Sequence, residues 1–454
     1  MKINDDCLHI LNRFGFGPKL SWLRSKEKSR LLEDKDFLIN WITQSNEGFV
    51  ESRNIEVEQR FSDKKWQERW PLATMRCKWV QRMIELENPI EEKIALFWNH
   101  AIPVSVNIWG FAQDVLMDAF RNNATSDYNQ LLKEVLYSPC SLKFLNAYHS
   151  HKNAPNQNMP RELLELFTVG IDNYTQKDVI ELSRCFTGLR TISPYAGEPF
   201  PFENIPYPYK MYIDDGAQDR GEKTILGQTG RFDSDEAIDI LVSDINTHVN
   251  IAKKFMMFFV SDNPLRKHIQ ELSQLTYSKG KINISDLIAH TLRSNWFYDD
   301  QYKRNKVKTP VEFWVGLFRH TGLKTETMEL HSNALRMLGQ NVFFPENVGG
   351  WPWGKSWFRG INLFNRIAIP RVLISISHDE EQSSEMSLFE KVKYRTTHRS
   401  LLGFRYEYAV VFNEDDFLNI IGSSNKILAQ WLGTSNNHYN NILQHLSSTE
   451  YQYN

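Results

Sequence analysis

A chain of 454 residues, 41% hydrophobic and 24% charged, has the composition of a folded globular protein and the length for one large domain or two ordinary ones. Its 53 basic and 55 acidic residues leave a formal charge of −2, which gives no overall electrostatic footprint for a nucleic-acid backbone. Four separated cysteines, Cys7, Cys77, Cys140 and Cys185, form no CxxC pair, which excludes a zinc ribbon, a dithiol redox motif and a disulfide scaffold.

The N-terminal stretch MKINDDCLHILNRFGFGPKL lacks the apolar run of a signal peptide, and nowhere does the chain approach the roughly 18 uncharged apolar residues of a membrane helix. A cytoplasmic protein without a membrane span is the expectation. DDCLHILNRFGFGP predicts a short helix stopped by Gly15, Gly17 and Pro18, with His9 and Arg13 four apart on one face. Helical periodicity continues through RWPLATMRCKWVQRMIELENP, ending before Pro89, and through IEEKIALFWNHAIP, from Ile90 to a stop at Pro103.

Between about 190 and 232 the prolines rule out a long helix, and YKMYIDDGAQDRGEKTILG alternates and turns like a β-hairpin. DSDEAIDILVSDINTHVNIAKKFMMFFV returns to helix behind an Asp/Ser cap. The basic run RNKVK, 304 to 308, reads as a solvated face. GQNVFFPENVGGWPWGKSWFRGIN, from 339, is a loop rich in Trp and Gly that needs a docking partner, and HDEEQSSEMS, from 378, reads as a polar linker. The predicted fold is mainly α: a large helical domain over 1–375 carrying a small β-hairpin insertion and a long Trp-rich loop, with a C-terminal extension, 376–454, packing on it.

The residues with most chemical promise lie in NQNMPRELLELFTVG. Pro160 suits the first helical turn and Asn158 stands near the cap. At 100° per residue Leu163, Leu166, Phe167 and Gly170 form one stripe, while Arg161, Glu162 and Glu165 fall opposite, where two carboxylates can converge on a metal or form an acid and base pair. The competing reading makes the acids partners of the helix dipole and Arg161 with Glu165 a surface pair. His100 is a candidate ligand or base at a helix C-terminus, where a histidine can equally serve the dipole, and His149 with His151 precedes the glutamate helix as an HxH pair. No GxSxG elbow, Walker loop, dinucleotide GxGxxG or HExxH is present.

The phrases HILNRFGFGP, EKIALFWNH, NAPNQNMPRELLELFTVGIDNYTQKDVIELSRCFTGL, GEKTILGQTGRFDSDEAIDIL and LGQNVFFPENVGGWPWGKSW resemble, over about residues 9 to 366, a bacterial family called the domain of unknown function eighteen-hundred. The resemblance implies a predominantly helical fold with pattern positions at His9, Arg13, Trp98, His100, Asn156, Asn158, Arg161, Glu162, Glu165, Tyr174, Asp178, Asn347 and Trp351, and no established reaction. Many members carry export signals, and some are encoded beside exported sulfatase-like or phosphatase-like proteins. The chain departs from the pattern at WNHA, where members commonly have a doubled histidine, and at Phe167, where members often have His.

These readings converge on an Arg/Glu/His pocket of a hydrolase-like enzyme acting on a carbohydrate-like or anionic small molecule. In it Glu162 and His100 exchange protons, Arg161 clamps the substrate, and Asn156, Asn158, His9, Arg13, Trp351 and Trp357 bind it. A divalent metal held by Glu162, Glu165 and His100 is the cofactor to test. The alternative is a non-catalytic binding or assembly module in which the Arg/Glu/Asn cluster is a structural network.

Overall fold

The computed structural model of the chain describes residues 3–44, 72–105, 110–191, 211–323, 329–370, 446 and 450–453. The Pro-rich part of the expected insertion and the expected linker after 378 lie outside these residues. The described chain is mainly α, and its helix ends follow local chemistry. Asn4 caps helix Asp5–Phe14 by accepting from the Asp6 N–H, and Thr175, Asp233 and Thr309 each open a helix with a reciprocal capping box. Gly322, at φ 69°, closes helix Pro310–Thr321 in the left-handed conformation that glycine tolerates best.

Two helices form the centre. Every residue of Ile90–Ala101 and of Pro310–Thr321 is buried. Helices covered on all sides must enclose whatever polar side chains they carry. Glu92, Lys93, Asn99 and His100 on the first, and Glu312, Arg319 and His320 on the second, are therefore interior. Around them one continuous apolar core runs from Cys7 to Tyr451, with all four cysteines buried and unpaired with one another.

The β content differs in detail from the expected hairpin. Strand β1 (Leu189–Arg190) pairs antiparallel with β2 (Tyr212–Ile213), while β3 (Lys223–Ile225) pairs with β4 (Gln228–Gly230). The tight turn falls at Leu226 and Gly227, both at positive φ, which suits the twist of a two-residue hairpin loop. The Asp178 carboxylate accepts from the Leu226 N–H at 2.8 Å and so ties this turn to helix Gln176–Cys185.

Two helices end in a π turn. In Leu163–Phe167 the Thr168 N–H reaches the Leu163 carbonyl, and in Met256–Val260 the Ser261 N–H reaches that of Met256. The first alters the expected wheel: Leu164 is buried and Leu166 only partly so, because the wider turn rotates the register.

The Trp loop docks on the centre. A Cβ on Gly350 would meet Pro103 Cγ at 2.9 Å, and one on Gly354 would meet Asp262 Cγ at 3.0 Å. Trp351 and Trp357 pack with Val307 in a small second apolar cluster, and residues 450–453 close over the same place, the Lys308 N–H donating to the Gln452 carbonyl. Among the described residues no helix is long and apolar enough to cross a membrane.

Candidate functional site

Arg161, Glu162 and Glu165 line the partly exposed side of the glutamate helix, as the wheel predicts. Arg161 Nη2 donates to Gln176 Oε1 at 2.9 Å rather than to Glu165, and Glu165 accepts from the Tyr174 hydroxyl at 2.9 Å. Burial and the adjacent Glu165 charge raise the Glu162 carboxyl above its ordinary range, against a smaller lowering by Arg161. Two carboxylates on adjacent turns thus differ in surroundings: one is pushed toward holding its proton, the other accepts a phenol hydrogen bond.

Asn156 and Asn158 serve the backbone. Asn156 Oδ1 accepts from the Asn158 N–H at 2.8 Å, and Asn158 Nδ2 donates to the Leu145 carbonyl at 3.1 Å. His151 Nδ1 accepts from the Asn153 N–H, a local turn contact. No group of three or more His, Cys, Asp or Glu side chains among the described residues is placed to hold a metal, so Glu162, Glu165 and His100 do not converge as one.

His100 lies elsewhere, enclosed beneath the Trp loop with its ring centroid 4.1 Å from that of Trp353 and 5.8 Å from that of Trp351. Neither ring nitrogen has a partner of good geometry, the Trp351 backbone offering only a weak one. Burial, then Lys306 and Lys254, lower it to about 3, so it is neutral and lends nothing to the helix dipole. Lys254 is the link between the two regions, its amine donating to the Leu166 carbonyl at 2.6 Å and to the Ala101 carbonyl at 2.8 Å. His9 bonds the Phe297 carbonyl at 3.0 Å and rests on that ring, while Trp351 and Trp357, at 4% and 1% exposure, have their faces covered. None of these three offers a surface to a sugar ring.

Beside His100 the structure assembles charges of which the sequence reading singles out Arg13 alone as a candidate. Glu312, at the first turn of its helix, pairs with Lys93 and, at 3.0 Å, with Lys306. Burial works to raise its carboxyl, but Lys306 and Lys93 hold it well below the usual range. Arg13, Lys308 and Arg366 also feel its charge, and the five cations are each at most 5% exposed. RNKVK is therefore solvated at Arg304 but not at its lysines: Lys306 and Lys308 point inward because Thr309 and Pro310 start a fully enclosed helix directly after them. The second acid, Asp262, has its carboxyl raised by burial and accepts from the Val307 N–H at 2.9 Å. Lys93 sits seven residues before His100, on the same helical face, which was the available signal.

A different buried carboxylate draws its cations from the edge of the core. Glu92 takes Arg82 at 2.5 Å and Arg121 at 3.0 Å, plus the Trp79 indole at 2.6 Å, and staples three helices. Its two arginines keep partial contact with water, at 27% and 12% side-chain exposure, unlike the cations around Glu312.

A family model described as Protein of unknown function (DUF1800) matches residues 9–452, and the chain belongs to that family. The match extends well past residue 366, to the Tyr451–Gln452 pair that closes the charge cluster. No curated protein and no solved structure matches the chain.

Proposed function

For this member of the DUF1800 family we propose an enzyme that performs acid–base chemistry, of the kind used in hydrolysis, on an anionic or hydroxyl-rich small molecule at the Arg161–Glu162–Glu165 surface. The observation that carries the reading is the unequal carboxylate pair: Glu162 raised by burial and by Glu165, with Glu165 bonded to Tyr174. Such a pair supplies a proton donor and a proton acceptor at one pH. Glu162 gives a proton to the leaving group, Glu165 receives one from water, and Arg161, held by Gln176 and beside Tyr174, directs its remaining N–H groups to the substrate's anion. His100 takes no part.

The rival network reading needs Arg161 and Glu162 bonded to Asn156 and Asn158. Those asparagines instead bond backbone groups, and Arg161 bonds Gln176. The test is a panel of chromogenic phosphate, sulfate and glycoside esters offered to the parent and to Glu162→Gln. A substrate turned over by the parent and slowed by about 100-fold or more in a variant of unchanged melting supports the reading. Equal turnover by both proteins refutes it.

A further inference from the structure

We propose that the enclosed cation cluster at the start of helix Pro310–Thr321 binds a small tetrahedral oxyanion, a phosphate or sulfate group. The proposal goes beyond the acid–base reading and does not rest on it.

Among the described residues, five buried cations, Arg13, Lys93, Lys306, Lys308 and Arg366, face two carboxylates, Glu312 and Asp262. Lys93 and Lys306 are paired with Glu312. The other three make hydrogen bonds only to neutral oxygens. Arg13 donates to the Tyr302 carbonyl and Asn305, Lys308 to the Tyr451 carbonyl, and Arg366 to the Lys308 carbonyl and the Gln452 amide. A lysine can shed a proton to escape such a place, and Lys308 and Lys93 are indeed lowered to about 7 and about 8, chiefly by burial. An arginine cannot, so the surplus remains. The N-terminus of the enclosed helix adds positive potential at the same place.

The unpartnered atoms agree in kind. Arg13 Nε and Nη1, Arg366 Nε and Gln452 Nε2 are all buried donors without a partner. Buried polar atoms are ordinarily satisfied, and a set of orphaned donors around surplus cations calls for an acceptor that carries charge. Phosphate and sulfate supply several acceptor oxygens, enough to take separate N–H donors from different side chains.

The experiment is calorimetric titration of the full chain, exchanged into chloride buffer at fixed ionic strength, with inorganic phosphate, inorganic sulfate and glucose 6-phosphate. Saturable binding of one equivalent of phosphate or sulfate is expected, weakened at least tenfold in Arg13→Gln and in Arg366→Gln. Tighter binding of glucose 6-phosphate than of phosphate identifies the oxyanion as one group of a larger ligand; the reverse identifies the free ion. Binding retained in both variants means an adventitious ion only and overturns the proposal, as does no saturable binding by the parent. Should the glutamine variants fail to fold, Arg366→Lys, which keeps the charge and loses the fork, must still weaken phosphate at least threefold. Phosphate binding is read without turnover of any substrate, so failure here and failure of the acid–base reading are distinguishable.

Discussion

Lys306 Nζ lies 3.0 Å from the Glu312 carboxylate with both side chains 2% exposed, although the run that contains the lysine looks like solvated surface. The pair forms because Glu312 is needed twice. It completes the capping box with Thr309 and it neutralises Lys93 on the facing central helix. Glu312→Gln is expected to destabilise the fold by about 3–5 kcal/mol, since the cations stay buried after their partner is lost. Urea unfolding measures this, and a change below about 1 kcal/mol contradicts the assignment of Glu312 as the hub.

Stability should rise with pH between about 6.5 and 8.5. Lys254 and Lys308 are lowered to about 7 and Lys93 to about 8 from an ordinary 10.5, in each case chiefly by burial. Above those values the folded chain releases protons that the unfolded chain keeps, which favours folding. Above pH 9 the rise is opposed, because burial raises Cys7 and Cys185 to about 12 and their thiols ionise first in the unfolded chain, and the lysine gain ends as the unfolded lysines lose their own protons near 10.5. Urea midpoints at pH 6.5 and 8.5 decide the matter; a lower midpoint at 8.5 contradicts it.

In acid the histidines dominate the same relation. Burial lowers His100 to about 3 and His331 to about 4, so the folded state resists their protonation. Below about pH 6.5 the unfolded state takes up those protons first, and stability falls. His331→Gln, which keeps a group able to accept from the Trp314 indole, is expected to flatten this loss between pH 6.5 and 4. An unchanged slope contradicts it.

Gly350 sits at φ 82° with Pro103 where a Cβ would go, so Gly350→Ala strains the backbone and lifts the Trp loop. A cost of about 1–3 kcal/mol is expected, with a shift in tryptophan emission as Trp351 meets water. A variant as stable as the parent contradicts the docking described.

Much of the helical body is legible in the sequence because its signals are local: a cap at Asp233, stops at Gly15 and Pro103, and periodic apolar residues between them. Arg161, Glu162 and Glu165 are legible as a polar face for the same reason. The charge cluster is not, apart from Arg13, since Lys93, Glu312 and Arg366 are far apart in the chain and each alone looks like an ordinary surface charge. Only the enclosure of the two central helices turns them inward. His100 and Trp351 illustrate the converse: they are local suspects that do come close together, yet are covered by the packing that joins them.

The most direct test of the central claim needs no substrate. Carboxyl carbon NMR titration of Glu162 in the parent and in Glu165→Gln reports whether the two acids are coupled. The account predicts a Glu162 midpoint above the ordinary carboxylate range that falls toward it once the Glu165 charge is removed. An ordinary midpoint in the parent, unmoved by Glu165→Gln, would contradict the pairing on which the proposed chemistry depends.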